Sequence, residues 1–351
     1  MKTLLVGYKA ADLTPELLEG DVTCHVLDIY HRHAIEKVHH AKVVCSAHLP
    51  EEPWDVIRFK TGPKIHSGEL ALDLLQEASA LVGGDLRIHR ARSASSEGGA
   101  MRGAPRFELA FEGRERDRND LLNTIKDDPK RVRSFKAEWP ASVPGGEKLM
   151  FTSYPGCFCH RRLDEGGLAL AEVVSREFCS RSSKVSGFEG LKVDPNETLK
   201  PSNSQTFKLL DMGCGCGLVG FLIANRLKLS NSQTLKLSNL VLVDSHARAV
   251  EAATENAAKF GIPAEVILSD NGTPSRMDGT FDVFVGNPPY YSDYRIAEVF
   301  LETAKRALKP GGICYTVVKN AAGLKPVQER YFQQVEVIGR RGYNVLRSVK
   351  D

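Results

Sequence analysis

Short apolar runs alternate with amphipathic ones from one end of the chain to the other. Leu4-Leu5-Val6-Gly7 reads as a first strand, Val22 to Leu27 as a second that ends in Asp28, and Ala41 to Ser46 as a third. Trp54-Asp55-Val56-Ile57 follows, then a turn at Gly62-Pro63 and a helical spacing of apolar residues over Gly68 to Leu81 that stops at Gly83-Gly84. Strands that alternate with helices in this way predict a parallel α/β sheet.

The same order returns in the second half. Leu209-Leu210 starts a strand, Leu240 to Asp244 forms another, and Ala264 to Leu268 and Phe281 to Val285 add two more. Helical spacing covers Leu168 to Phe178, Leu218 to Leu227, Ala247 to Phe260 and Ile296 to Leu308, with a stop at Lys309-Pro310-Gly311-Gly312. Ile313 to Val318 is a further strand, and Val335 to Ile338 with Tyr343 to Val349 reads as a closing hairpin. Trp54-Asp55-Val56 matches Phe281-Asp282-Val283, and Gly83-Gly84 matches Gly311-Gly312 at nearly the same offset, which points to an internal duplication.

The halves differ where chemistry is expected. After the fourth strand the second half reads Gly286-Asn287-Pro288-Pro289-Tyr290, whereas the first reads Arg58-Phe59-Lys60-Thr61-Gly62-Pro63. Two prolines hold the turn, and the Asn287 side chain and the Pro288 and Pro289 carbonyls supply acceptors that suit an exocyclic amine. Tyr290 adds a flat ring for stacking on a planar group. Pro-Pro pairs often mark only a turn, so an upstream site decides the matter. That site is Leu209-Leu210-Asp211-Met212-Gly213-Cys214-Gly215-Cys216-Gly217, a strand, an acid and alternating glycines that lead into a helix, followed by Asp244 at the end of the next strand. In the first half Gly7 stands alone at the corresponding turn.

Between the halves, Arg114 to Lys136 is rich in both charges. Its densest part, Lys130-Arg131-Val132-Arg133-Ser134-Phe135-Lys136, is suited to phosphate contact, although such runs are more often solvated faces. Pro140, Pro144, Gly145 and Gly146 suggest a boundary near Trp139-Pro140 to Gly146, dividing residues 1–140 from 141–351. Tyr154-Pro155-Gly156 to Gly166-Gly167 is a glycine-dense loop before a helix. The copies Ser202-Asn203-Ser204-Gln205-Thr206 and Ser230-Asn231-Ser232-Gln233-Thr234 read as polar loop extensions, and the longer span from Gly213 to Asp244 than from Gly7 to Asp28 reads as an insertion.

Composition narrows the picture further. With 351 residues, 42% of them hydrophobic and 26% charged, the chain has enough material for two globular cores. A net charge of +3 permits a polyanionic partner without requiring one. The eight cysteines contain no Cys-x-x-Cys pair and no zinc spacing, so no metal is expected. No signal peptide or membrane span is read in the sequence, which leaves a reducing cytoplasm as the expected location.

Taken together these residues resemble the class I S-adenosylmethionine-dependent methyltransferases. Among them, the chain is similar to the small-domain group that methylates the guanine N2 amine of ribosomal RNA. The resemblance implies an α/β fold of two tandem Rossmann-like methyltransferase domains, the N-terminal one degenerate and serving a structural or RNA-binding role. It implies S-adenosyl-L-methionine as cofactor, with Gly213, Gly215 and Gly217 near its methionine part, Asp211 at the same turn, Asp244 on the ribose hydroxyls and Asp270 at the adenine. Asp164, in the loop Phe158 to Gly166, would belong to a segment that closes over the cofactor; Cys157 and Cys159 depart from the group's pattern there. Asn287, Pro288, Pro289 and Tyr290 would hold the amine. The implied partner is ribosomal RNA or a ribosomal subunit, met by a monomer. The same tetrapeptide also serves adenine-N6 and protein glutamine-N5 methyltransferases, and a noncatalytic RNA-binding ribosome-assembly protein could keep the fold.

Overall fold

The computed structural model describes residues 2–61, 68–81, 88–90, 106–111, 134–183, 205–229, 235–289 and 294–351. The chain forms two compact units, one of Met1–Lys136 with Tyr154–His160 and His246–Arg248, the other of Ala137–Ser153, Arg161–Ser245 and Ala249–Asp351.

In the first unit β1 (Lys2–Val6), β2 (Asp21–Val26), β3 (Lys42–Cys45), β4 (Val56–Thr61), β5 (Ile88–Arg90) and β6 (Arg106–Phe111) form one sheet in the order β3-β2-β1-β4-β6-β5. Every pairing in it is parallel. Alternate residues of β1 face opposite ways. Leu4 joins Ile57, Phe59 and the helix α2 (Gly68–Leu81), while Leu5 joins Cys24 and the helix α1 (Ile29–His39). The apolar pattern of the sequence does not mark α1, because Ile35 is its one buried residue. Its start is nonetheless well specified: Asp28 Oδ1 accepts from Tyr30 N–H at 2.9 Å, an N-cap. Between β1 and β2 the chain makes only two short 3₁₀ turns, Ala10–Asp12 and Pro15–Leu18. Arg248 is fully buried in this unit, and its guanidinium is matched by Asp73, Glu77 and the carbonyl of Ala47.

The second unit carries the seven-stranded sheet. Its elements are β7 (Ala137–Ala141), β8 (Leu149–Ser153), α3 (Glu165–Ser183), β9 (Gln205–Met212), α4 (Leu218–Leu229), β10 (Leu235–Asp244), α5 (Ala247–Phe260) and β11 (Glu265–Leu268). Then follow β12 (Phe281–Gly286), α6 (Arg295–Ala307), β13 (Leu308–Val318), α7 (Ala321–Gln328), β14 (Glu336–Arg340) and β15 (Tyr343–Val349). The order is β11-β10-β9-β12-β13-β15-β14, parallel from β11 to β13, with β15 and β14 added antiparallel. The sheet grows from β9 to one side through β10 and β11, then restarts on the other flank at β12. Strand order therefore reverses between β9 and β12, where the loops at the strands' C-terminal ends part and leave room for a ligand.

Several local expectations change. Trp139 and Pro140, where the sequence suggests a boundary, sit in β7, which pairs with β8 as a hairpin and buries Ala137, Trp139 and Ala141 in alternation. Pro140 is tolerated there because a two-stranded hairpin leaves N–H positions outside the ladder. The polar repeats are not wholly loop: Gln205 and Thr206 begin β9 and pair with Leu235 and Lys236 of a long β10. Lys309 to Gly312, expected as a helix stop, is the first part of β13, with Gly311 N–H and the Gly312 carbonyl bonded to Lys350. Gly62-Pro63, Gly83-Gly84, residues 114–133, 202–204 and 230–234, and Tyr290 lie outside the described residues.

Candidate active site

Strand register brings the sequence motifs to one edge. Met212 of β9 pairs with Val243 of β10 and Gly286 of β12, and Asp244 pairs with Leu268 of β11. The residues that leave these four strands are thus Gly213, Asp244 with Ser245, Ser269 with Asp270, and Asn287. A bond from Ser269 N–H to the Asp244 carbonyl, 2.9 Å, ties the β10 and β11 ends together.

The glycine turn is shaped by what lies beneath it. Gly213, Gly215 and Gly217 have φ of +67°, +56° and +84°, a region that a side chain disfavours. A Cβ on Gly213 would come within 2.6 Å of Phe300, and one on Gly217 within 2.3 Å of Phe221, so both glycines are required by packing. Gly215 is different: a Cβ there would meet nothing within 4 Å. Its backbone therefore faces open space, where a ligand can come close. The N–H groups of Gly213 and Cys214 donate to the Val243 carbonyl at 2.8 and 3.0 Å, and buried Asn256 of α5 donates to the Cys216 carbonyl at 2.9 Å. The same Asn256 amide accepts from Thr152 N–H at 2.8 Å and donates to the Thr152 carbonyl at 2.9 Å, fixing the turn to β8.

Three acids stand at the C-terminal ends of β9, β10 and β11. Asp211 is buried beneath the glycine turn, and its Oδ2 accepts from Gly220 N–H at 2.8 Å in the first turn of α4. Burial pushes its carboxyl up to about 7, helped by the nearby Asp244 charge and opposed by the Gly220 bond. Asp211 is thus a brace between strand and helix. Asp244 Oδ2 accepts from Gly215 N–H at 2.8 Å, which sets the carboxylate against the open glycine. Asp270 stands in the turn after β11, half-buried, beside the Ser269 hydroxyl that donates to Asn271 Oδ1 at 2.9 Å.

Across the reversal point, β12 ends at Gly286, whose Cβ would come within 2.8 Å of the same Phe300 ring. Asn287 and Pro289 are half-buried and Pro288 is buried. The Asn287 amide nitrogen donates to Asp164 Oδ2 at 2.7 Å. Asp164 also receives Gly166 N–H on Oδ1 at 3.1 Å and Gly167 N–H on Oδ2 at 2.9 Å, and its carbonyl takes the first α3 bond from Leu168. Asp164 is therefore the N-cap of α3. Burial raises its carboxyl above the usual range, against the pull of the three donors. The contact between Asp164 and Asn287 was not legible in the sequence, since the two are 123 positions apart. Phe300 and Asn256 carried no sequence signal of a role at the site beyond apolar spacing and an interior amide.

The site thus combines a glycine turn open at one position, acids at the ends of neighbouring strands and a proline-stiffened acceptor loop. These residues fit a nucleoside-bearing ligand laid along the strand ends, with Gly215 as the point of closest backbone approach. Among the described residues no group of His, Cys, Asp and Glu could hold a metal ion, and no helix is long and apolar enough to cross a membrane.

The chain is similar to known proteins in sequence and in fold. The chain is 27% identical over 209 residues to ribosomal RNA small subunit methyltransferase C of Haemophilus influenzae, a match covering 58% of this chain and 52% of that protein. It is 33% identical over 134 residues to the protein of the same name from Pseudoalteromonas translucida, covering 37% and 36% of the two chains. The chain spans about half the length of the first of these relatives. In fold it is similar to the T. thermophilus 16S rRNA N2 methyltransferase RsmC, solved with AdoMet and guanosine. The TM-score is 0.69 at 16% identity, with 100% of this chain and 88% of that one covered. Residues 196–347 match the methyltransferase small domain, a stretch that holds the glycine turn, Asp244, Asp270 and Asn287. The glycine turn, Asp244, Asp270 and Asn287 therefore all lie in a stretch that is similar to the methyltransferase small domain.

Proposed function

We propose that this protein is an S-adenosylmethionine-dependent methyltransferase acting on an exocyclic amine, guanine N2 of ribosomal RNA. The observation that carries the reading is the Asn287 amide, held at the reversal point of the sheet with its nitrogen turned to Asp164. An amide held in that way presents its oxygen on the opposite side, as an acceptor for an amine hydrogen. The names of the curated relatives, and the guanosine bound in the RsmC structure, support the choice of base.

Gly213, Gly215 and Gly217 would take the methionine part of the cofactor, Asp244 the ribose hydroxyls and Asp270 the adenine. Bound there, S-adenosylmethionine supplies a methyl group made electrophilic by its sulfonium. Asn287 Oδ1 and the Pro288 carbonyl would accept the two amine hydrogens and so turn the nitrogen lone pair toward the methyl carbon. The amine nitrogen so oriented would take the methyl group and then shed one proton to water. Pro288 and Pro289 keep the acceptors from drifting, because their φ angles are fixed. Tyr290 would stack on the base after it leaves the RNA helix.

The first unit would serve as a degenerate copy that helps hold RNA as part of a monomer in the cytoplasm. It has 3₁₀ turns in place of a glycine turn and helix. Its six-stranded sheet differs from the small helical N-terminal domain expected of a glutamine-directed enzyme.

The test is methyl transfer from labelled S-adenosylmethionine to ribosomal RNA, small subunits, large subunits and release-factor protein in parallel, with digestion of the product. Labelled N2-methylguanosine is expected. Labelled N6-methyladenosine or methylglutamine would keep the amine chemistry and overturn the substrate, and cofactor binding without transfer would overturn the enzyme.

A further inference from the structure

Resting on the reading above, we infer that Asp164 is a positioning residue for the amine: its carboxylate sets which end of the Asn287 amide faces the substrate. The family resemblance places this aspartate in a segment over the cofactor, and an N-cap role alone would also account for its two bonds to glycine N–H groups. The bond to Asn287 is explained by neither.

An amide side chain is ambiguous by nature. Its oxygen and its NH₂ have nearly the same size, and a half-turn about the last bond exchanges an acceptor for two donors. For a residue that must accept hydrogens from an amine, the wrong half-turn puts donor against donor. The local arrangement removes the choice. An ionised carboxylate only accepts, so the group that meets Asp164 Oδ2 at 2.7 Å has to be the NH₂ of Asn287. The oxygen then points away from Asp164, to the side proposed for the substrate.

Asp164 is itself immobilised. Gly166 and Gly167 N–H groups hold both its oxygens at 3.1 and 2.9 Å, and a Cβ on Gly167 would lie 2.6 Å from Oδ2. The missing side chain at Gly167 thus lets the carboxylate tuck over the start of α3 and still reach across to β12. The α3 N-terminus, with its unpaired N–H groups, favours negative charge at this position.

The variant that separates the roles is Asp164→Asn. Asparagine is as good an N-cap as aspartate, so α3 keeps its start. One carboxylate oxygen becomes an NH₂, however, so the neutral side chain can meet either end of the Asn287 amide and no longer fixes which end faces the substrate. The experiment compares wild type, Asp164→Asn, Asn287→Ala and the double variant in three measurements. These are kcat for methyl transfer to the RNA accepted by the wild type, cofactor Kd by calorimetry, and the side-chain amide signals of Asn287 in protein labelled with ¹⁵N-asparagine.

For Asp164→Asn we expect kcat to fall by about 100-fold, the scale of losing one well-placed polar contact at a reacting group. Cofactor Kd should stay within about 3-fold, and the Asn287 NH₂ proton shifted by the carboxylate should move toward the value of a free amide. On the Asn287→Ala background the same change should lower kcat by less than about 3-fold further, because an effect that passes through Asn287 vanishes with it. Independent losses in the double variant, or a Kd that rises equally on both backgrounds, would overturn the proposal and return Asp164 to a cofactor or capping role. If the wild type methylates none of the amines offered, the proposed function fails while the amide signals still decide the positioning: unchanged Asn287 signals in Asp164→Asn would refute it.

Discussion

Gly213 lies directly over the ring of Phe300, so close that a Cβ on the glycine would stand 2.6 Å from Cζ. Gly286 meets another part of the same ring, at 2.8 Å from Cδ1. One aromatic side chain from α6 thereby sets the height of both the glycine turn and the acceptor loop. The two positions should respond differently to repair. Gly286→Ala is a clash alone, so adding Phe300→Leu should recover most of the roughly 1–3 kcal/mol lost to overpacking. At Gly213 the +67° backbone remains unfavourable for alanine, leaving about 1–2 kcal/mol unrecovered. Urea unfolding of the single and paired variants reads the difference.

Gly215 offers the reverse case. Alanine there meets nothing within 4 Å, so the fold should lose only about 1 kcal/mol, from the φ of +56°. The added methyl would fill the open approach to the backbone. Cofactor binding by calorimetry should weaken by more than about 10-fold, a loss larger than the stability change implies; an unaltered Kd would mean that the ligand does not pass this glycine.

Asn287→Ala should lower methyl-transfer kcat by about 100-fold or more while cofactor Kd changes little. Equal losses in both would show that Asn287 holds the cofactor and not the amine.

Asp211 makes stability depend on pH. Its carboxyl is raised to about 7 in the folded chain from 3.8, so the folded state binds the proton more tightly. The stabilisation is fully present below the unfolded value and is lost as pH rises through about 7. Asp211→Asn removes that dependence. The unfolding free energy of wild type relative to Asp211→Asn should therefore fall by roughly 2–3 kcal/mol between about pH 5 and about pH 8. A flat difference in chemical denaturation would mean that Asp211 ionises as an ordinary aspartate.

Asn256 is fully buried and bonds to Thr152 and to the Cys216 carbonyl. Asn256→Ala strands those backbone groups without water. A loss of about 2–4 kcal/mol in urea unfolding is expected, against less than about 1 kcal/mol for exposed Thr254→Ala on the same helix.

Long periodic elements were the most legible in the sequence. α2 and α5 begin and end where apolar spacing placed them, because their buried stripes are continuous. α1 was missed since its one buried residue is Ile35, and α7 since Pro326 lies inside it. Pro140 masks β7 in the sequence, although Ala137, Trp139 and Ala141 alternate as a half-buried strand should. At the candidate site, strand ends located Gly213, Asp244, Asp270 and Asn287, which stand one or two residues beyond the apolar runs. What could not be read was the pairing of distant groups. Asp164 with Asn287, Phe300 with Gly213 and Asn256 with Cys216 depend on packing that no local spacing encodes.

The long β10 has a consequence for how the chain can change. Its extra residues pair with the start of β9, at Leu235 and Gln205, whereas Asp244 lies at the opposite end of the strand. A parallel sheet gives its two ends different duties: one tolerates growth, and the other sets atomic positions for chemistry. Polar segments can accumulate at the tolerant end while the reactive end keeps its spacing, so length variation and altered chemistry are separable events in this architecture.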